Sequence, residues 1–236
     1  FARHFRLPWS WSLAAAALLC ASPMFLHMAL QPMSDLPATV WVMAAIWFAL
    51  RARTHWPWAV AAGFAVAVAV LVRPTNLLAL FPVAVALGWR PKAWLRLIAG
   101  GLPGALFLAA YNVELYGGVF TTGYDAVGEL FRMEYFPRNA AHFALWIFLL
   151  ASPPIVLAAL ALPAVRGRTL LVGLATAWSI AFVGCYVFYY HSSEWWWYLR
   201  FILPMFPAVI LAGVVALYHA SGRLAASRWA RWLPPA

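Results

Sequence analysis

Eight apolar runs, separated by prolines and short charged loops, restrict what this chain can fold into more than any motif does. They fall at residues 9–30, 37–50, 57–72, 75–89, 94–112, 141–163, 169–190 and 201–219. A helix needs about 20 apolar residues to cross a hydrocarbon core of about 30 Å. Hydrophobic residues make up 66% of the chain and charged residues 9%, against about a quarter charged in a soluble domain. The expected fold is all-α: one domain over 1–236, a polytopic transmembrane helix bundle of about eight spans.

The loops between these runs alternate in charge. One set holds Arg3, Arg6, Arg51, Arg53, Arg90, Lys92, Arg96, Arg166, Arg168, Arg223, Arg228 and Arg231, with no acid. The other holds Arg73, Arg132, Arg138 and Arg200 with every acid in the chain: Asp35, Glu114, Asp125, Glu129, Glu134 and Glu194. Lys and Arg concentrate in cytoplasmic loops, so the first set is read as inner and the second as outer. The net charge of +10 is then a matter of topology. It forms no basic face with interleaved polar residues, and no nucleic-acid partner is expected. Cys20 and Cys185 sit inside apolar runs and read as small buried hydrophobes.

Asp35 stands between two long apolar runs, in Gln31-Pro32-Met33-Ser34-Asp35-Leu36-Pro37, and is the only acid before Glu114. Either Ser34 or Asp35 is the N-cap of the next helix, with Pro37 in its first turn, or Asp35 faces a polar pocket at the outer side; both can hold. The runs 37–50 and 75–89 are short for a bilayer. They either tilt and continue into flanking residues, or stop below the outer surface and leave a cavity lined by Asp35 and Arg73. The longest outer segment lies at 113–140. Within it, Asp125, Glu129 and Arg132 oppose Val127, Leu130 and Phe131 at helical spacing, which suits a short interfacial helix over 125–136 or an ordinary solvated one.

Two arginines stand where outer helices are expected to begin. Leu71-Val72-Arg73-Pro74 breaks one run and starts the next, since the residue before Pro disfavours helix. Tyr198-Leu199-Arg200-Phe201 is read as a repeat of that arrangement. A guanidinium at a helix N-terminus is a good anion site, although an interfacial Arg can also snorkel to lipid headgroups. His191-Ser192-Ser193-Glu194-Trp195-Trp196-Trp197-Tyr198 reads as an interfacial aromatic belt whose rings could also stack on sugars. His191 and Glu194 could share a divalent metal, but two ligands without a third are a weak signal. The cofactor reading is therefore no cofactor, or one divalent metal.

Taken in order, Gln-Pro-Met-Ser-Asp-Leu-Pro-Ala, Leu-Val-Arg-Pro-Thr-Asn-Leu-Leu, Asn112 with Leu115-Tyr116-Gly117-Gly118 and Thr122-Gly123-Tyr124, and Tyr198-Leu-Arg-Phe-Ile-Leu-Pro-Met-Phe-Pro resemble the landmarks of bacterial glycosyltransferases of the integral-membrane GT-C class. These use polyprenyl-phosphate sugars and include the protein O-mannosyltransferases and aminoarabinose transferases. The resemblance implies transfer of a sugar from a lipid-linked donor to a sugar, lipid or protein acceptor at the outer face of a bacterial inner membrane. It implies Arg73 and Arg200 as donor-phosphate ligands and Asp35 as a supporting acid. Asn76, Tyr124, His191 and Glu194 are candidate substrate-binding residues. The family's main acidic motif has no counterpart, and because the chain starts at Phe1 it reads as the C-terminal part of a longer protein. A transporter or flippase for a lipid-linked or anionic solute is the alternative, although no two similar halves are visible; a membrane scaffold is a third reading.

Overall fold

Prolines open four of the ten α-helices among the described residues. Pro lacks the N–H that the first turn leaves unbonded, and its fixed φ suits the first helical position. Pro23, Pro57, Pro91 and Pro153 each occupy that position. In the computed structural model, which describes residues 1–121 and 130–226 (side chains to 223), ten α-helices follow one another. They are α1 (Trp9–Ala21), α2 (Pro23–Ala29), α3 (Asp35–Arg51), α4 (Pro57–Val72), α5 (Leu80–Leu87), α6 (Pro91–Tyr116), α7 (Phe136–Leu150), α8 (Pro153–Leu160), α9 (Thr169–Tyr186) and α10 (Phe206–Ala226). No strand occurs among the described residues, only one isolated bridge between Phe131 and Tyr189.

Three helical stretches are long and apolar enough to cross a membrane: Pro91–Tyr116, Thr169–Tyr186 and Trp196–Arg223. The count reaches five if α1 with α2, and α7 with α8, each form one broken span. The expected runs 9–30 and 141–163 are thus not straight. The first bends by 59° and the second by 113°. At the sharper bend Ser152 has φ 74°, a left-handed conformation that a non-glycine residue rarely adopts, directly before Pro153. α5 is preceded by a 3₁₀ segment, Pro74–Ala79. At 2.0 Å per 3₁₀ residue and 1.5 Å per α residue, Pro74–Leu87 reaches about 24 Å, still short of a full core.

Trp196–Arg223 is the axis of the bundle, with 83% of its most apolar window buried, whereas α6 has 6% and packs chiefly on α4. The α4–α6 crossing is closed by glycines. A Cβ at Gly63 would lie 1.8 Å from the Leu97 carbonyl oxygen, and one at Gly100 would lie 2.0 Å from that of Val60. Small residues of this kind let helix backbones meet where hydrocarbon supplies no hydrophobic drive. α3 joins α4 to the axis through Val42, Ala45, Ile46 and Ala49, all fully buried.

The two charge sets gather at opposite ends of the bundle. At one end Arg90 Nη1 donates to the Arg53 carbonyl at 3.0 Å, Arg96 lies over Trp56, and Arg168 donates to the Phe5 carbonyl. At the other, Asp35 pairs with Arg73, Arg138 with Ser193, and Asn139 Nδ2 donates to the Val187 and Tyr189 carbonyls at 2.9 and 2.8 Å. The interfacial helix expected over 125–136 lies partly outside the described residues. Its described part is a helical Leu130, Phe131 in a bridge to Tyr189, an extended Arg132, a 3₁₀ turn at Met133–Tyr135 and Phe136 at the start of α7.

Candidate functional site

Asp35 opens α3 rather than capping it. Ser34 occupies the N-cap position without a side-chain cap bond, and Asp35 is the first helical residue. Of the two residues expected at the N-cap, Ser34 takes that place and Pro37 falls in the first turn, while the Asp35 carboxylate is buried, 3% exposed, and forms an ion pair with Arg73 Nη1. The partial positive charge of the α3 N-terminus also favours a carboxylate there. The Asp35 carbonyl accepts from Thr39 Oγ1 at 2.8 Å, which fixes the first turn.

Arg73 sits in the break that its sequence predicts. α4 ends at Val72, Arg73 is extended at φ −150° and ψ 118°, and Pro74 starts the 3₁₀ segment. This swings the guanidinium out of the helix line and across to α3. Asn76, three residues after Arg73, turns inward. It is buried and donates to the Ala69 carbonyl at 2.9 Å, bracing the end of α4.

Arg200 differs from the expectation that it marks a helix start. It lies inside a ten-residue 3₁₀ run, Trp196–Met205, that leads into α10. The three-residue period of that run stacks side chains at i and i+3. Phe201 beside it becomes the shared floor of the site, with the Arg73 Cζ 5.7 Å and the Arg200 Cζ 5.1 Å from its ring centroid. Arg200 also lies 5.3 Å from the Tyr198 ring, and its Nη1 meets the Met33 sulfur at 3.1 Å. Its Nε is buried with no hydrogen-bond partner. No carboxylate stands within ion-pair distance of Arg200 among the described residues, although Asp35 feels its charge. One carboxylate against two guanidiniums leaves a net positive site.

Beneath it is an aromatic scaffold that sequence reasoning missed. Tyr186 stacks on Phe201 at 5.1 Å and 10°, and its hydroxyl donates to Thr75 Oγ1 at 2.7 Å. Tyr189 meets Phe201 edge-on at 5.1 Å. These residues sit 15 and 12 positions before Phe201 on a different helix end, and nothing in their spacing pairs them.

His191 and Glu194 face each other, Nδ1 to Oε1 at 2.6 Å, and His191 stacks on Tyr198 at 6.2 Å. They reach Arg200 through Tyr198, and through Tyr189 and Phe201. Their facing atoms bond each other, and no third His, Cys, Asp or Glu joins them among the described residues; no step below uses a metal. Of the expected belt, Trp195 is exposed, while Trp196 packs inward on His27 at 4.8 Å. Tyr124 lies outside the described residues. The expected open cavity lined by Asp35 and Arg73 is replaced by their direct pairing. An apolar groove of about 530 Å³ does run between α4 and α6, and at this end Pro74, Leu77, Asn112, Val119 and Phe120 line it, but neither Asp35 nor Arg73 does.

No family model matches the chain, and no curated protein or solved structure matches it. The side chains themselves carry the functional reading.

Proposed function

We propose that this protein is a membrane glycosyltransferase that moves a sugar from a polyprenyl-phosphate donor to an acceptor at the outer face of a bacterial inner membrane. About eight passes carry the chain across that membrane, with the acid-bearing end outside, in keeping with the positive-inside rule. The observation that supports it is the convergence of Arg73 and Arg200 on the Phe201 ring, with Asp35 from a third stretch paired to Arg73, which leaves one excess positive charge.

Arg200 and Arg73 hold the donor phosphate. In the transfer the bond between the anomeric carbon and the phosphate oxygen breaks and the phosphate keeps the electron pair. The acceptor oxygen forms the new bond, and its proton goes to a base that this reading does not assign. Charge grows on the phosphate as the bond breaks, and fixed guanidiniums in a water-poor site stabilise that state more than the ground state. Asp35 acts as the supporting acid, holding Arg73 in place by its charge.

A second reading, transport of a lipid-linked or anionic solute, is favoured by one feature, the two broken helix pairs, since discontinuous helices mark many transporters. The test is reconstitution in liposomes with a labelled sugar on polyprenyl phosphate. Arg73→Lys, which keeps the charge but loses the planar fork, is expected to slow transfer at least tenfold with its melting temperature retained. Transfer at the wild-type rate in Arg73→Lys and Asp35→Asn alike contradicts the proposal. Uptake of label without transfer selects the transport reading.

A further inference from the structure

At the opposite end of the bundle, the α3–α4 turn and the α5–α6 turn are tied together by arginines that have no acidic partner among the described residues. No acidic residue occurs from 36 through 113, nor in the other loops read as belonging to that end, so neither turn carries a counter-charge of its own. Arg90 Nη1 donates to the Arg53 carbonyl at 3.0 Å, joining the turns. The Arg53 guanidinium lies over Gly88, where a Cβ would stand 3.3 Å from Nη2 and where φ is +73°, a conformation that favours glycine. Arg53 Nε is buried without a hydrogen-bond partner.

Two further guanidiniums rest on indole faces beside these turns. Arg51 Cζ is 5.6 Å from the Trp47 ring and 5.2 Å from Trp58, and Arg96 Cζ is 4.7 Å from Trp56. A ring orders the face of a guanidinium and leaves its N–H edge free for phosphate oxygens. Trp56, Trp89 and Leu95 are exposed on the same patch, which suits the boundary between headgroups and hydrocarbon rather than open water. His55 lies in the α3–α4 turn itself, and His4 feels the charge of the same arginines. Burial first, and the charges of Arg53 and Arg51 as well, push its pKa below the ordinary range.

We propose that these two turns bind the phosphate headgroup of an anionic phospholipid in the adjoining leaflet, with Arg53 and Arg90 at its centre and Arg51 and Arg96 at its edge. Basic pockets between membrane helices hold such headgroups, and each basic residue near the surface contributes about 1 kcal/mol, about a fivefold change in affinity. The site is independent of the sugar-transfer reading.

The experiment is native mass spectrometry of the detergent-solubilised protein titrated with phosphatidylglycerol or phosphatidylcholine. Wild type is expected to hold phosphatidylglycerol in preference to phosphatidylcholine, and Arg53→Gln/Arg90→Gln to bind it about 25-fold more weakly. Because that pair also braces the turns, Arg51→Gln/Arg96→Gln is measured alongside it. Neither of these guanidiniums hydrogen-bonds the rest of the protein among the described residues, so the same direction of change is expected at an unchanged melting temperature. Excess inorganic phosphate is expected to leave the lipid bound. Equal affinity for the two lipids, equal affinity in both double variants and wild type, or full displacement by inorganic phosphate overturns the proposal.

Discussion

Positive charge is handled in opposite ways at the two ends of this bundle. At one end Arg73 is answered by a buried carboxylate, and both Arg73 and Arg200 rest on a stacked aromatic floor. At the other, Arg90 is held by a carbonyl, Arg51 and Arg96 rest on indoles and Arg53 lies over Gly88, with no carboxylate partner among the described residues. The first arrangement fixes guanidiniums in geometry, as a site for a reacting anion requires; the second keeps them available to the surrounding membrane. What separates the ends is the placement of Asp35, not the number of arginines.

The largest expected effect tests that contrast. Arg73→Ala leaves the buried Asp35 carboxylate unpaired and is expected to lose about 3–5 kcal/mol of stability. Arg90→Ala removes one exposed bond at the other end and is expected to lose about 1 kcal/mol or less. Thermal unfolding in detergent compares them, and equal losses would erase the difference between the ends. Next in size is Gly63→Ala. Its Cβ meets the Leu97 carbonyl oxygen, so α4 and α6 must separate, at a cost of about 1–3 kcal/mol. Since α4 carries Trp56 at one end and Arg73 at the other, this variant is expected to weaken both lipid retention and sugar transfer, whereas changes at either end move only one. Smallest is Tyr186→Phe, which removes the bond to Thr75 Oγ1 and is expected to lower stability by about 1 kcal/mol while slowing transfer through the tilt of Phe201. A variant with altered lipid retention instead would mean that the ends are coupled.

Much of this was legible in sequence, and the limits have physical causes. The Arg73–Pro74 break could be read because Pro constrains its predecessor whatever the surroundings. The separation of acid-bearing and acid-free loops could be read because charge placement follows topology. The pairing of Asp35 with Arg73 could not: α3 and α4 are apolar nearly all round, and without an amphipathic stripe a sequence does not say which face meets which. The 3₁₀ run that places Arg200 within a helix escaped notice because its residues are ordinary helix formers up to Pro204. The bend at Ser152 escaped notice because a left-handed serine has no local signature.

Arg200 gives the most direct test of the central claim, because it has no carboxylate partner among the described residues and its loss should spare the fold. The measurement is the rate of sugar transfer from a polyprenyl-phosphate donor by Arg200→Gln in liposomes, with its melting temperature. The account predicts a fall of about 10²–10³-fold, the range for removing one fixed donor from a developing anion, with melting nearly unchanged. Wild-type transfer rate and wild-type donor affinity in a folded Arg200→Gln protein would contradict it.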